Sequence, residues 1–232
     1  MKQDLGRIET GSRVAVIGGG PAGCFFSLFL MKYARELGKR PQITIYEPRD
    51  FYQPGHQGCK GCAGILSVSL LHNLTELGLS LPEEVIQNRI ERYTVHSPYT
   101  SITFSNPETG TQIFSVYRGS GPRLSHGVSP IGFDGWLLNV AEQQVSAVEK
   151  DRVTSIFLGQ EAEIEVSGKR LSYDLIVLAS GVNAIPIKVN GLEYIPPKTQ
   201  LMAQDELYAG AEEVESRLGS AAHAFLIPHS KL

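Results

Sequence analysis

The sequence predicts a three-layer α/β fold with an antiparallel β region inserted into it, and three observations predict it. Arg13 to Glu47 reads as strand, glycine-rich turn, helix, second strand and terminal acid. From Ile90 to Tyr117 the texture changes to short alternating runs separated by turn residues, the pattern of an antiparallel meander. Leu175 to Ala179 (L-I-V-L-A) then returns to an unbroken apolar run, suited to a strand buried on both faces.

The first segment carries the most chemistry. Val14, Ala15, Val16 and Ile17 form an apolar strand, and Gly18, Gly20 and Gly23 follow in G-x-G-x-x-G register. In a Rossmann-like unit the first glycine turns the chain tightly, the second admits a pyrophosphate close to backbone, and the third lets helix pack on strand. Pro21 suits a first helical turn, where its missing N–H removes a donor without an intrahelical partner. With Ala22 it opens a helix whose N–H groups and positive dipole end face the phosphates. That helix runs to Leu37 and stops at Gly38. Gln42 to Tyr46 is the second strand, and Glu47 stands at its carboxyl end, 24 residues after Gly23. A spacing of about 20 is expected of a ribose-binding carboxylate. A lone glycine motif is weak; strand, turn, helix, strand and acid in order predict a bound adenine dinucleotide.

An irregular Gly- and Pro-rich loop spans Phe51 to Gly64, and a second helix is expected over Ile65–Leu77, with Leu66, Leu70, Leu74 and Leu77 on one face and Gly78 ending it. Glu91–His96, Thr100–Ser105 and Thr111–Tyr117 are the meander strands. Asp134 caps a third helix reaching Val148, with Trp136, Leu137, Val140 and Ala141 inward. Val153–Leu158, Glu161–Val166 and Lys169–Leu171 form another small meander before the returning strand. Ile185 to Pro197 is extended, Glu206–Leu218 helical, and Ala224–Ile227 an apolar strand. The expected domains are 1–88 with 118–184 for the dinucleotide, and 89–117 with 185–232 as a partial substrate domain.

The chain has 232 residues, 21 basic against 24 acidic, a balance that gives no reason to expect a nucleic-acid partner. The apolar run Cys24–Met31 is too short to span a bilayer, and Lys2, Asp4 and Arg7 do not begin a signal peptide. A cytoplasmic protein is the default expectation. Three cysteines, an odd number, argue against a secreted disulfide scaffold. Ser230-Lys231-Leu232 matches a peroxisomal address, a tripeptide that recurs by chance.

Four motifs in order carry a family resemblance: V-I-G-G-G-P-A-G with Glu47, C-A-G at Cys62–Gly64, G-F-D-G-W-L at Gly132–Leu137, and Y-D-L-I-V-L-A-S-G at Tyr173–Gly181. Together they resemble FAD-dependent oxidoreductases of the geranylgeranyl reductase-like group, relatives of the para-hydroxybenzoate hydroxylase class. The resemblance covers roughly Arg13 to Gly181. It implies FAD, with its pyrophosphate at Gly18–Gly23 and its ribose on Glu47. It also implies NAD(P)H as electron donor and a small apolar, prenyl-like substrate, with Cys62, Ala63 and Gly64 beside the isoalloxazine. An arginine between meander and third helix commonly touches the cofactor in this group, and Arg118 and Arg123 both fit. Gly181 ends the returning strand where the family often has Asp-Gly; here the pair is Ser180-Gly181. A later Gly-Asp motif that closes the flavin site has no counterpart after Gly181. The expectation is therefore an N-terminal portion of a longer protein, binding FAD weakly or not at all by itself, with Ser230-Lys231-Leu232 internal. Peripheral membrane contact is an expectation for the full-length protein.

Cys59 and Cys62 invite three readings: a redox pair, part of a metal site with His56, or a loop over the flavin with one thiol in the site. The resemblance favours the third. Cys62 is the candidate catalytic residue, donating a proton to substrate carbon, although a nearby helix start favours thiolate. Cys24 reads as a small core residue. His96, His126, His223 and His229 share no ligand or triad spacing, and Ser180 lacks a G-x-S-x-G context. The rival reactions are aromatic hydroxylation by reduced flavin and oxygen, or a dinucleotide-binding module without turnover.

Overall fold

The computed structural model describes residues 7–52, 64–105, 113–117, 132–181, 185, 187–193 and 209–227. The chain divides into two compact units, Met1–Asp50 with Asp134–Ala203, and Phe51–Phe133 with Gln204–Leu232. In chain order the elements begin with β1 (Arg13–Ile17), α1 (Pro21–Glu36), β2 (Gln42–Tyr46), β3 (Ile65–Leu66) and α2 (Val68–Glu76). There follow β4 (Ile86–Ile90), β5 (Arg92–His96), β6 (Ser101–Ser105), β7 (Ile113–Val116), α3 (Phe133–Glu142) and β8 (Ala147–Glu149). The remainder are β9 (Val153–Leu158), β10 (Ala162–Val166), β11 (Lys169–Tyr173), β12 (Leu175–Leu178), β13 (Lys188–Asn190), α4 (Ala211–Leu218) and β14 (Ala221–Phe225).

In the first unit β12-β1-β2-β8 form a parallel sheet and β11-β10-β9-β13 a second sheet. β1 is central and therefore apolar on both faces; Val14, Ala15 and Val16 are fully buried. Ala15, Ile17 and Tyr46 pack against Val153, Ile156, Ile164, Val166 and Tyr173 of the second sheet. Each of the valines and isoleucines among them, taken from water, contributes about 1.5–3 kcal/mol. The opposite face meets α1, where a Cβ on Gly23 would lie 3.1 Å from Val16. Helices, parallel sheet and antiparallel hairpins make the three expected layers. The phenols of Tyr46 and Tyr173 hydrogen-bond at 2.6 Å within the core. Burial, then the Tyr173 bond, pushes the Tyr46 hydroxyl well above the ordinary tyrosine value.

The second unit holds two three-stranded sheets, β14-β5-β6 and β3-β7-β4. β14 runs parallel to β5, and β6 antiparallel to it.

Several element boundaries differ from the sequence expectation. The third helix stops at Glu142, not Val148, because Ser146–Glu149 is claimed by the sheet: the Ser146 N–H donates to Ile43 O at 2.9 Å and β8 pairs with β2. The second helix starts at Val68, since Ser67 caps it by accepting from the Leu70 N–H and Ile65–Leu66 pairs with β7. Ile86–Ile90 is a strand that the sequence reading did not place. β14 begins at Ala221 and ends at Phe225, earlier than Ala224–Ile227, because its backbone ladder with β5 fixes the register.

Candidate dinucleotide site

The site grows from the carboxyl ends of β1 and β2. Gly18 leaves β1 with φ +113°, a conformation that L side chains rarely adopt, and a Cβ there would overlap the Ala179 carbonyl beyond β12. A Cβ on Gly23 would overlap the Gly18 carbonyl, so the third glycine is needed for α1 to sit on the turn. Gly20 differs. Its backbone is extended, it is the N-cap of α1, and a Cβ would meet only an Arg49 guanidinium nitrogen at 3.7 Å. Among the described residues no contact requires a glycine at position 20; a phosphate approaching the turn would.

Pro21 is half-buried and Ala22 exposed at the start of α1. That first turn has no side-chain cap and no acidic residue, leaving its N–H groups and positive dipole end for an anion.

Glu47 is 2% exposed. Its backbone N–H donates to Glu149 O of β8 at 2.9 Å, which fixes the strand end. One carboxylate oxygen accepts from the Arg49 backbone N–H at 3.0 Å and Nε at 2.9 Å. The other accepts from the Gly19 N–H at 2.9 Å and Arg49 Nη2 at 2.8 Å. Burial alone would raise its pKa; the Arg49 hydrogen bonds and charge outweigh that and hold it below the ordinary carboxylate value. Cys24 is fully buried, its thiol 3.1 Å from Gly19 O. Burial first, then the charges of Asp134 and Glu47, push that thiol far up, as suits a core residue.

Two site residues escaped the sequence reading. Gly19 leaves no room for a side chain, since a Cβ would lie 2.8 Å from Glu47 Cβ and 3.0 Å from Leu138. Arg49 was legible in principle: at an extended strand end, residues two apart share a face. Gly64 has φ +68°, and a Cβ there would overlap the Val116 carbonyl, so it serves the backbone approach to β7. Gly181, at φ +79°, ends the returning strand with open space around it. Cys62, Ala63, Arg118 and Arg123 lie outside the described residues, as do His56 and Cys59. Among the described residues, no three His, Cys, Asp or Glu are placed to hold a metal ion, and no helix is long and apolar enough to cross a membrane.

No family model matches the sequence, and no curated protein matches it. Solved structures do. The chain is similar to the native FqzB protein at 17% identity and a TM-score of 0.50, covering 78% of this chain and 38% of that one. It is similar to a point mutant of 2-methyl-3-hydroxypyridine-5-carboxylic acid oxygenase at 20% identity and a TM-score of 0.51, covering 78% of this chain and 42% of that one. The chain thus spans about two-fifths of the length of these structures. Identity this low shows the fold alone: an α/β fold with a Rossmann-type parallel sheet and antiparallel strand pairs.

Proposed function

We propose that the chain is the dinucleotide-binding part of an FAD-dependent oxidoreductase. The observation that carries this is the contrast within the glycine turn. Gly18 and Gly23 are required by close backbone contacts, while Gly20, at an uncapped helix N-terminus beside buried Glu47, has room for a methyl in ordinary contact with Arg49. That arrangement fits a pyrophosphate on the turn and a ribose at Glu47. Both Glu47 oxygens already accept two hydrogen bonds each. A ribose hydroxyl therefore reaches the carboxylate by displacing the Arg49 guanidinium, 24% exposed, and not the backbone donors.

FAD, when bound, supplies the two-electron redox chemistry; the chain binds and orients it. The resemblance supports Cys62, Ala63 and one of Arg118 or Arg123 as further contacts, NAD(P)H as donor, and reduction of a small prenyl-like substrate. The likeness to a named oxygenase supports aromatic hydroxylation at least as well. The two separate in one assay on the full reading frame with NAD(P)H: substrate-dependent oxygen consumption with a hydroxylated product, against anaerobic loss of a double bond. Flavin binding with neither activity supports the module without turnover, and no flavin binding by the full-length protein overturns the proposal.

A further inference from the structure

His96 and His223, 127 positions apart and without any motif to link them, meet on the β14-β5-β6 sheet of the second unit. Register puts Ser101 opposite His96 on β6 and Phe225 beside His96 on β14. His223 lies two residues before Phe225, so all four side chains share one face.

With both rings neutral, the hydrogen bonds assign the protons in one way. The Leu218 carbonyl can only accept, so His223 Nε2, 3.1 Å from it, carries hydrogen. Nδ1 of neutral His223 is then an acceptor and takes the His96 Nε2–H over 2.8 Å. Nδ1 of neutral His96 is left as an acceptor, and the Ser101 hydroxyl donates to it over 2.7 Å. The two histidine rings lie edge to edge and nearly coplanar, their planes 12° apart, and Phe225 stacks on the face of His96 at 4.4 Å, which fixes the base in the plane of that chain. Neither ring is hydrogen-bonded or ion-paired to a carboxylate among the described residues. Ser101 is exposed while both histidines are half-buried.

We propose that Ser101 is a nucleophilic serine, with His96 as its base and His223 as a positioning residue, acylated by activated esters of apolar acids. A serine hydroxyl is a weak nucleophile until an adjacent, oriented base takes its proton, and this chain of contacts supplies both base and orienter. The acyl preference follows from the surroundings. Tyr99, 96% exposed, precedes Ser101 in the hairpin turn, and Phe225, Leu226 and Ile227 are each at least 60% exposed at the end of β14. In the reaction the Ser101 Oγ–carbonyl bond forms as the ester C–O bond breaks. The serine proton passes to His96 Nδ1 and on to the departing alcohol, and water releases the acid by the same route.

The test uses the 232-residue chain with an alkyl fluorophosphonate and with p-nitrophenyl butyrate, and maps the adduct by peptide mass. The expected adduct is on Ser101, absent from Ser101→Ala and retained in Ser105→Ala. His96→Gln should slow labelling about a hundredfold or more. His223→Gln should lower the maximal labelling rate and shift its pH profile, with the half-saturating probe concentration unchanged; a purely structural role would not produce that split. An unlabelled wild-type chain, an adduct on another residue, or wild-type labelling by a folded His96→Gln variant would overturn the proposal.

Discussion

Replacing Glu47 by glutamine keeps the shape of the side chain and removes one acceptor oxygen. All four groups around the carboxylate are donors: the Gly19 and Arg49 backbone N–H groups and two Arg49 guanidinium nitrogens. The new amide NH2 must therefore face two N–H groups. Leaving a buried donor such as the Gly19 N–H unsatisfied costs about 1–3 kcal/mol. The lost attraction to Arg49, which is 24% exposed, adds about 0–1 kcal/mol after solvent screening. Glu47→Gln is therefore expected to lower stability by about 1–4 kcal/mol at pH 7, read from the urea midpoint at unchanged slope. The acid behaviour is a second arm. Because Arg49 holds the folded Glu47 pKa below its unfolded value of about 4.3, the carboxylate's contribution is complete above that value. It is lost as pH falls through the folded pKa, so the gap between wild type and variant closes in acid. Equal midpoints at pH 7, or a gap that widens on acidification, would refute the reasoning.

Two further outcomes test the frame around the site. Gly23→Ala puts a methyl on the Gly18 carbonyl, and its shift of α1 should cost about 1–3 kcal/mol in chemical unfolding. Tyr173→Phe removes one partner of a buried phenol pair and should cost about 1–3 kcal/mol, with no change in dinucleotide affinity.

The βαβ unit was legible because its signals are local: an apolar run, glycines in register, and an acid at a strand end. The fold class and the place of Glu47 at the carboxyl end of β2 followed from them. Less local features escaped. β8 is three residues of A-V-E whose strand character comes from pairing with β2, and helical periodicity ran straight through them. Ile65 and Leu66 continue the apolar spacing of α2, yet Ser67 captures the cap and hands them to β7. The meeting of His96 and His223 depends on β14 returning parallel to β5, a long-range pairing that no spacing encodes.

The central claim is that position 20 is glycine for a phosphate and not for the fold. Gly20→Ala should move thermal unfolding little, since its Cβ meets only Arg49 at 3.7 Å and the cost of Ala at an N-cap is offset by the reduced freedom of the unfolded chain. The direct measurement is a thermal-shift titration of wild type and Gly20→Ala with ADP, whose adenosine and pyrophosphate are shared with FAD, carried to millimolar concentration so that weak binding still registers as stabilisation. The account predicts that ADP stabilises wild type and fails to stabilise an equally stable Gly20→Ala. Equal stabilisation of both proteins, or none of wild type, would contradict it.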